Sequence, residues 1–415
     1  MTTTPARAPE SSPPRTRPVL LDPAFLRLWS GTTASGLATW ALPFVLGLAV
    51  LDRTLSAAAL GLLLAARTVG FLVAVAIGGV LADRYSRRAV VAWAGLAAAA
   101  ATPVLAAGVG HSLAVTAGAA LVAGAGQGAC RPAFQALTAE VVDAERRQQA
   151  NAAMTLSVRV TTLAAPSLTA LLAVVLDTST LLLGIGLLWL VAALIPGPGV
   201  GKQSSSEPTQ RPSFFREFGE GLREARRHPW FLAGLGALTA VIATGYSATG
   251  VALPLISRDR YDTELVLAAA MTAYTVGALA GALVIARLRP RAQGWSALAG
   301  LACYGFAPLS LVFPVHPAFV IAAYAVAGLG IELFNVPWFT ATQREVAPDK
   351  LARVSSLDFM LSYGLAPLGL ALMAPAIDAL GIRAVLAVCA LICFLAPAAA
   401  ALVPSTRGFA RSEEG

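Results

Sequence analysis

The chain has 415 residues, 57% of them hydrophobic and 13% charged, with a formal net charge of +8 and a mean hydropathy of +0.71. A soluble domain carries about a quarter charged residues, so the composition excludes an ordinary soluble fold and points to a membrane protein. The basic excess does not indicate a nucleic-acid partner, because the Lys and Arg residues fall mainly in short loops between apolar runs.

The chain opens with MTTTPARAPESSPPRTRPVLLD, rich in Pro, Ser and Arg, and residues 1–24 read as a disordered cytoplasmic tail. The first apolar run is too long for the h-region of a cleaved signal. A membrane helix needs about 20 apolar residues. Twelve such runs follow, near 29–51, 57–82, 89–109, 112–136, 150–176, 179–196, 230–255, 264–286, 294–314, 317–342, 354–377 and 381–403. They do not alternate as barrel strands do. The expected fold class is therefore all-α integral membrane, with twelve transmembrane helices.

The longest polar break is PGPGVGKQSSSEPTQRPS, a flexible linker. It divides the chain into an N-terminal six-helix bundle (25–196) and a C-terminal one (230–403), with a linker at 197–229 and a C-terminal tail at 404–415. After the break, Phe214, Phe215, Phe218 and Leu222 share one helical face with arginines opposite, as in a helix lying in the membrane interface. A soluble linker helix is the plainer alternative. The four cysteines, Cys130, Cys303, Cys389 and Cys393, lie in apolar runs and read as free thiols. No metal site and no cofactor is expected.

The two halves repeat. RPAFQALTAEV (Arg131–Val141) and VPWFTATQREV (Val336–Val346) match at a constant offset of 205 residues, pairing Pro132 with Pro337 and Glu140 with Glu345. Each stretch ends the fourth span of its half. Two six-helix parallel repeats are the arrangement of one large transporter class.

The loop after the second span reads GGVLADRYSRRAVV, Gly78–Val91. Gly78 and Gly79 let another helix approach closely. Arg84, Arg87 and Arg88 set orientation, and Asp83 breaks the basic pattern, so it pairs with an arginine or with a helix N-terminus. The plain alternative is a positive-inside loop.

GVLADRYSRR resembles the loop 2–3 signature of the major facilitator superfamily, with Ser86 in place of the usual second glycine. LRLWSGTTASGLATW, AARTVGFLVAVAIGGVLADRYSRR and EGLREARRHPWF resemble the exporter branch that includes the enterobactin exporter and actinobacterial efflux proteins. The resemblance implies a conformational latch made of Gly79, Asp83, Arg84, Arg87 and Arg88. The equivalent second-half stretch, GALVIARLRPR, has Ala286 where the acid would stand, so only the first half keeps a full latch. Of the antiporter motif G-P-x-x-G-G in the fifth span, LAAPSLTAL keeps only Pro166. Gly70, shortly after Arg67, is expected to soften the second span.

Ionisable residues inside a membrane are costly and default to functional hypotheses. Arg67, Arg131, Arg159 and Glu332 lie inside spans. Glu332 reads as the only acid deep in a span, with Gln127 as its repeat partner. In the resembling fold the first, fourth, seventh and tenth spans line a central cavity, so Gln127 and Glu332 are expected to face each other across it. Two readings of Glu332 stay open: a proton or substrate coupling group, which can exchange a proton near neutrality, or a structural ion pair with Arg131 or Arg159. Arg131 is alternatively a partner of Asp83. Thr39, Trp40, Tyr246, Asn335 and Trp338 are further candidates for the substrate cavity, although hydroxyls in membrane helices often bond only to their own backbone.

These features lead to a secondary transporter: a proton-driven exporter of a small, fairly apolar molecule such as a drug, antibiotic or siderophore. A proton-coupled uptake symporter is the alternative, since fold does not fix direction. A membrane receptor or enzyme fits less well. His111, His228 and His316 fall in loops or at helix ends, no catalytic group is apparent, and no G-x-x-x-x-G-K-[ST] loop is present for ATP. The expected partners are a small-molecule substrate, protons and the lipid bilayer of the cell membrane, with the chain acting as a monomer.

Basic residues set orientation. With the N-terminus inside, the inner segments hold 23 Lys and Arg residues and the outer loops 4. Reporter fusions at Gly201 and at the C-terminus should therefore read cytoplasmic, and one near Asp259 external. The reverse at any of the three breaks the twelve-helix assignment.

Overall fold

The computed structural model describes residues 18–197, 214–263, 265–288, 290–313, 316–364 and 366–410. Most of the N-terminal tail, the polar part of the linker (198–213) and the end of the C-terminal tail lie outside the described residues.

The first half contains α1 (Pro23–Leu51), α2 (Ala57–Arg84), α3 (Arg87–Gly108), α4 (Leu113–Val141), α5 (Arg147–Leu172) and α6 (Thr178–Leu194). A short helix, α7 (Phe214–Arg226), precedes the second half. There α8 (Pro229–Val241) and α9 (Ser247–Tyr261) form one span, joined by a wider helical turn at Ile242–Tyr246. Next come α10 (Leu265–Arg287), the paired α11 (Gln293–Ala302) and α12 (Phe306–Val312), α13 (Pro317–Glu345), the paired α14 (Leu351–Gly364) and α15 (Ala366–Leu380), and α16 (Ile382–Ala401). Among the described residues ten helical stretches are long and apolar enough to cross a membrane. The shorter α6 and the α14–α15 pair complete twelve.

Alanine- and leucine-rich runs favour helix, and polar caps fix where the helices start. Asp22 accepts the Ala24 N–H at the head of α1. Ser56, Ser86 and Ser112 accept from Ala59, Ala89 and Val115 at the heads of α2, α3 and α4. Ser86 thus has a local purpose where the family signature has glycine: its hydroxyl occupies an N–H that would otherwise be unpaired in the first turn.

Within each half the helices pack very closely. A Cβ on Gly70 would lie 2.0 Å from the Leu121 carbonyl oxygen, so α2 and α4 meet backbone to backbone. Gly70 is a packing residue rather than the softened point expected from sequence. With lipid as solvent, such contact gains dispersion energy that longer side chains would block.

The core of the second half is aromatic. Trp230, Phe231, Phe334, Trp338 and Phe409 are all fully buried. Trp338 stacks on Phe231 at 5.0 Å and on Phe334 at 5.4 Å, and Phe409 meets it edge-on at 5.7 Å. Trp338 is therefore a core residue and not part of a substrate cavity. Phe409 belongs to the segment read as a tail, yet residues 404–410 fold back onto the bundle, where Arg344 Nη2 donates to the carbonyls of Gly408 and Phe409. Removing a buried tryptophan costs about 3–5 kcal/mol. Trp338→Ala should accordingly lower the melting temperature of the purified protein by several degrees, while Trp338→Phe should lower it by clearly less.

Candidate functional site

The hydrogen bonds that join the halves run from one face of the molecule to mid-depth. That face carries the loops after α2 and α4 and before α14, and is here termed the basic face. At its centre is Asp83, in the last turn of α2 with a fully buried side chain. Its Oδ1 accepts the N–H of Ala352 at 3.1 Å and its Oδ2 that of Arg353 at 2.9 Å. Both are first-turn amides of α14, so an acid from one half fills the unpaired N-terminus of a helix in the other. Arg353 Nε lies 3.3 Å from Oδ2, and Arg87 Nη2 lies 3.9 Å from Oδ1.

Gly79 permits this approach. A Cβ there would stand 2.6 Å from both Cβ and Oγ of Ser356 and 2.8 Å from the Ala352 carbonyl oxygen. Arg87 ties the contact to both halves, through Glu140 Oε1 at 2.7 Å in the first and the Pro348 carbonyl in the second. Arg88 turns away instead, donating to the Leu194 carbonyl at 3.2 Å at the end of α6. Arg84 ends α2.

Helix α7 backs this contact. Arg353 reaches Glu220 at 3.2 Å, and Lys350 reaches Glu224 at 2.9 Å. Glu224 also meets Arg227 and His228. Burial pushes its carboxyl up, but Lys350, Arg227 and His228 outweigh that and hold it below the ordinary glutamate range. The stabilisation is thus complete above that range and fades as pH falls through the lowered value.

The second half lacks an acid at Ala286 but has a contact of its own. Gln148, near the start of α5, donates through Nε2 to the carbonyls of Ile285 and Leu288 at the end of α10, the latter at 2.8 Å. Here a side-chain donor meets the unpaired carbonyls of a helix C-terminus, the opposite polarity to Asp83. Beside it, Asn151 Nδ2 donates to Gln343 Oε1 and Thr340 Oγ1, both at 2.9 Å. Gln343 Nε2 donates to the Gln135 carbonyl at 3.1 Å, and Arg147 Nη1 to the Gln343 carbonyl at 2.9 Å. Sequence reasoning missed these amides. Their only signal was polar residues at the ends of apolar spans.

At mid-depth the candidate charges separate into two groups. Gln127 and Glu332 do not pair with each other; each takes an arginine. Arg67 Nη2 donates to Gln127 Oε1 at 2.7 Å and to the Thr39 carbonyl at 3.0 Å. Arg159, on α5, donates through Nε and Nη2 to the same oxygen of the fully buried Glu332, at 2.6 and 2.5 Å, and so bridges the halves. Its guanidinium lies over the Tyr274 ring, and Asn335 reaches the other Glu332 oxygen at 3.5 Å. Arg131 lies over the Phe359 ring, 6.0 Å from its centre. It does not hold Asp83, whose partners are Ala352, Arg353 and Arg87.

Glu332 is not the only deep acid. Asp358 is buried in α14, accepting from Trp338 Nε1 and from Ser362 Oγ, both at 3.0 Å. It was overlooked because it lies only four residues inside its apolar run. Of the remaining candidates, Trp40 is half-buried against the core and Tyr246 is 46% exposed on the wider turn between α8 and α9. Thr32, Thr33, Thr244 and Thr249 donate to carbonyls of their own helices. Among the described residues no group of three His, Cys, Asp or Glu side chains is placed to hold a metal.

The basic face is closed in this structure, so weakening Asp83 or crowding Gly79 should open it. Asp83→Asn removes the negative charge, and Gly79→Ala places a methyl where Ser356 stands. A coupling of this kind is worth about 1–3 kcal/mol. Each variant should insert normally but make a cysteine introduced at Ser356 more reactive to aqueous thiol reagents from the basic face. Unchanged reactivity in both counts against a latch.

The fold has many solved counterparts. The human organic anion transporter MFSD10 (TETRAN) superposes with a TM-score of 0.74 at 16% identity, covering 94% of this chain and 100% of that one. A bacterial homologue of the iron transporter ferroportin, in an outward-facing state, gives 0.74 at 15%, covering 92% and 99%. The E. coli fucose:proton symporter FucP gives 0.68 at 16%, also covering 92% and 99%. At such identities these likenesses establish the fold alone. No curated protein matches the sequence significantly. The family model for the Major Facilitator Superfamily matches residues 28–369 and again 238–414. With twelve transmembrane helices in two six-helix repeats, the chain belongs to the Major Facilitator Superfamily of membrane transporters.

Proposed function

We propose that the chain is a proton-coupled exporter of a small organic molecule, working by alternating access in a cell membrane with both termini cytoplasmic. The observation that carries this reading is the Arg159–Glu332 pair. It joins α5 of one half to α13 of the other at mid-depth, with the carboxylate shut off from solvent. Protonating Glu332 cancels the attraction, and so couples a proton to the relative position of the halves. With the basic face cytoplasmic, the Asp83 and Gln148 contacts close the inner gate. Export rather than uptake is favoured by the likeness of the second-span and post-linker stretches to the exporter branch.

Breaking a buried ion pair by removing one partner costs about 3–5 kcal/mol. If the pair is purely structural, Glu332→Gln should lower thermal stability by that order, and adding Arg159→Gln should restore it. If Glu332 couples the proton, the Gln variant should stay stable and still exchange a transported dye across liposomes, while a pH gradient no longer drives its accumulation. Gradient-driven transport by Glu332→Gln at the wild-type rate overturns the coupling role.

A further inference from the structure

Along the end of α7 the acids turn inward and the arginines outward. Gly221, Glu224 and Ala225 are buried, whereas Leu222, Arg223, Arg226 and Arg227 are exposed. Glu220 and Glu224 do reach two of these arginines, Arg223 at 3.9 Å and Arg227 at 3.4 Å. Each acid lies nearer to a cation of the second half, however: Arg353 at 3.2 Å and Lys350 at 2.9 Å. Arg223 and Arg227 accordingly keep 66% of their side-chain surface exposed.

The chain sets the depth of this basic face. The membrane span that follows starts at Pro229, directly after His228, so Arg226 and Arg227 stand where that span leaves the hydrocarbon. Arg223 lies about one helical turn further out. An exposed leucine among guanidinium groups suits the boundary between acyl chains and headgroups, and guanidinium forks match phosphate oxygens in shape and charge. The opposite face of α7 bears on the Asp83 contact. A Cβ on Gly221 would stand 3.0 Å from the Arg353 Cβ, so α7 lies directly against the head of α14. Arg353 in turn lies 3.3 Å from Asp83 Oδ2.

Resting on the reading of the Asp83 contact as an inner gate, we propose that residues 222–227 dock on anionic lipid headgroups and that this docking holds the basic face shut. Lipid fixes the arginines of α7, α7 fixes Arg353 and Lys350 through its two acids, and Arg353 keeps the α14 amides on Asp83. The charge of the surrounding leaflet thereby sets how readily the halves part.

The test uses the full-length protein carrying Ser356→Cys, in nanodiscs of phosphatidylcholine alone or of equal parts phosphatidylcholine and phosphatidylglycerol. Reactivity of the new cysteine toward an aqueous thiol reagent should be about fivefold lower with phosphatidylglycerol. Changing Arg223→Gln, Arg226→Gln and Arg227→Gln together should abolish that difference. Inorganic phosphate added to the phosphatidylcholine discs should not reproduce it. Should the triple variant fail to fold, raising the salt concentration should erase the lipid effect in the parent protein. Should Ser356→Cys itself fail to fold, the distance between spin labels at Tyr85 and Asp349 gives the same reading. Equal closure in both discs, a lipid effect that survives the triple change or high salt, or the same protection by free phosphate overturns the proposal. Closure is read without flux, so the two readings fail separately. A protein that phosphatidylglycerol closes but that moves nothing in liposomes keeps the surface and loses the transporter reading. One that transports, with equal closure in both lipids, loses the surface alone.

Discussion

The carboxylate of Asp83 rests on the first-turn amides of α14, across the boundary between the two halves. Both carboxylate oxygens accept backbone N–H groups, and Arg353 and Arg87 stand beside them. A buried carboxylate is tolerable only while these donors are in place. Once the halves separate, both the acid and the α14 N-terminus must be satisfied by water instead. That makes the contact two-state, and a two-state element is what a transporter needs. The surrounding features serve it. Gly79 removes the side chain that would hold the helices apart, Arg87 links Asp83 to Glu140 and Pro348, and α7 braces Arg353 through Glu220.

The second-half contact works on the same principle with the roles exchanged. Gln148 donates to the carbonyls ending α10, where Asp83 accepts from the amides starting α14. Helix ends that would lie exposed in isolation are thus capped by the opposite half on both sides of the interface. Further in, Arg159 and Glu332 span the boundary as a salt bridge at mid-depth.

Much of this was legible in the sequence. Run length indicated the helices, and the loop signature marked Asp83 and Gly79. What escaped was information about which face of a helix a residue occupies. Trp338 and Asn335 lie three residues apart on α13, yet one is sealed among Trp230, Phe231 and Phe409 while the other reaches Glu332. Apolar runs in a membrane carry little periodic signal, because lipid and protein core are equally apolar. The repeat offset paired Gln127 with Glu332, but a shared offset in a repeated fold does not imply contact, and each residue found its own arginine. Asp358 and Gln148 were missed because partnership across the chain depends on tertiary contact that composition does not record.

The central claim is that the Asp83 contact holds the basic face shut while the opposite face is free to part. Spin labels at exposed Tyr85 and Asp349 report one face, and labels at exposed Arg53 and Asp259 the other. Pulsed electron–electron distances in lipid nanodiscs should show a short Tyr85–Asp349 population as the major state, with the Arg53–Asp259 distance changing in the opposite sense as the protein cycles. Introducing Asp83→Asn should move population from the short to the long Tyr85–Asp349 distance and shorten Arg53–Asp259 in step. Distance distributions at both faces that are identical with and without the Asp83 carboxylate would contradict the account.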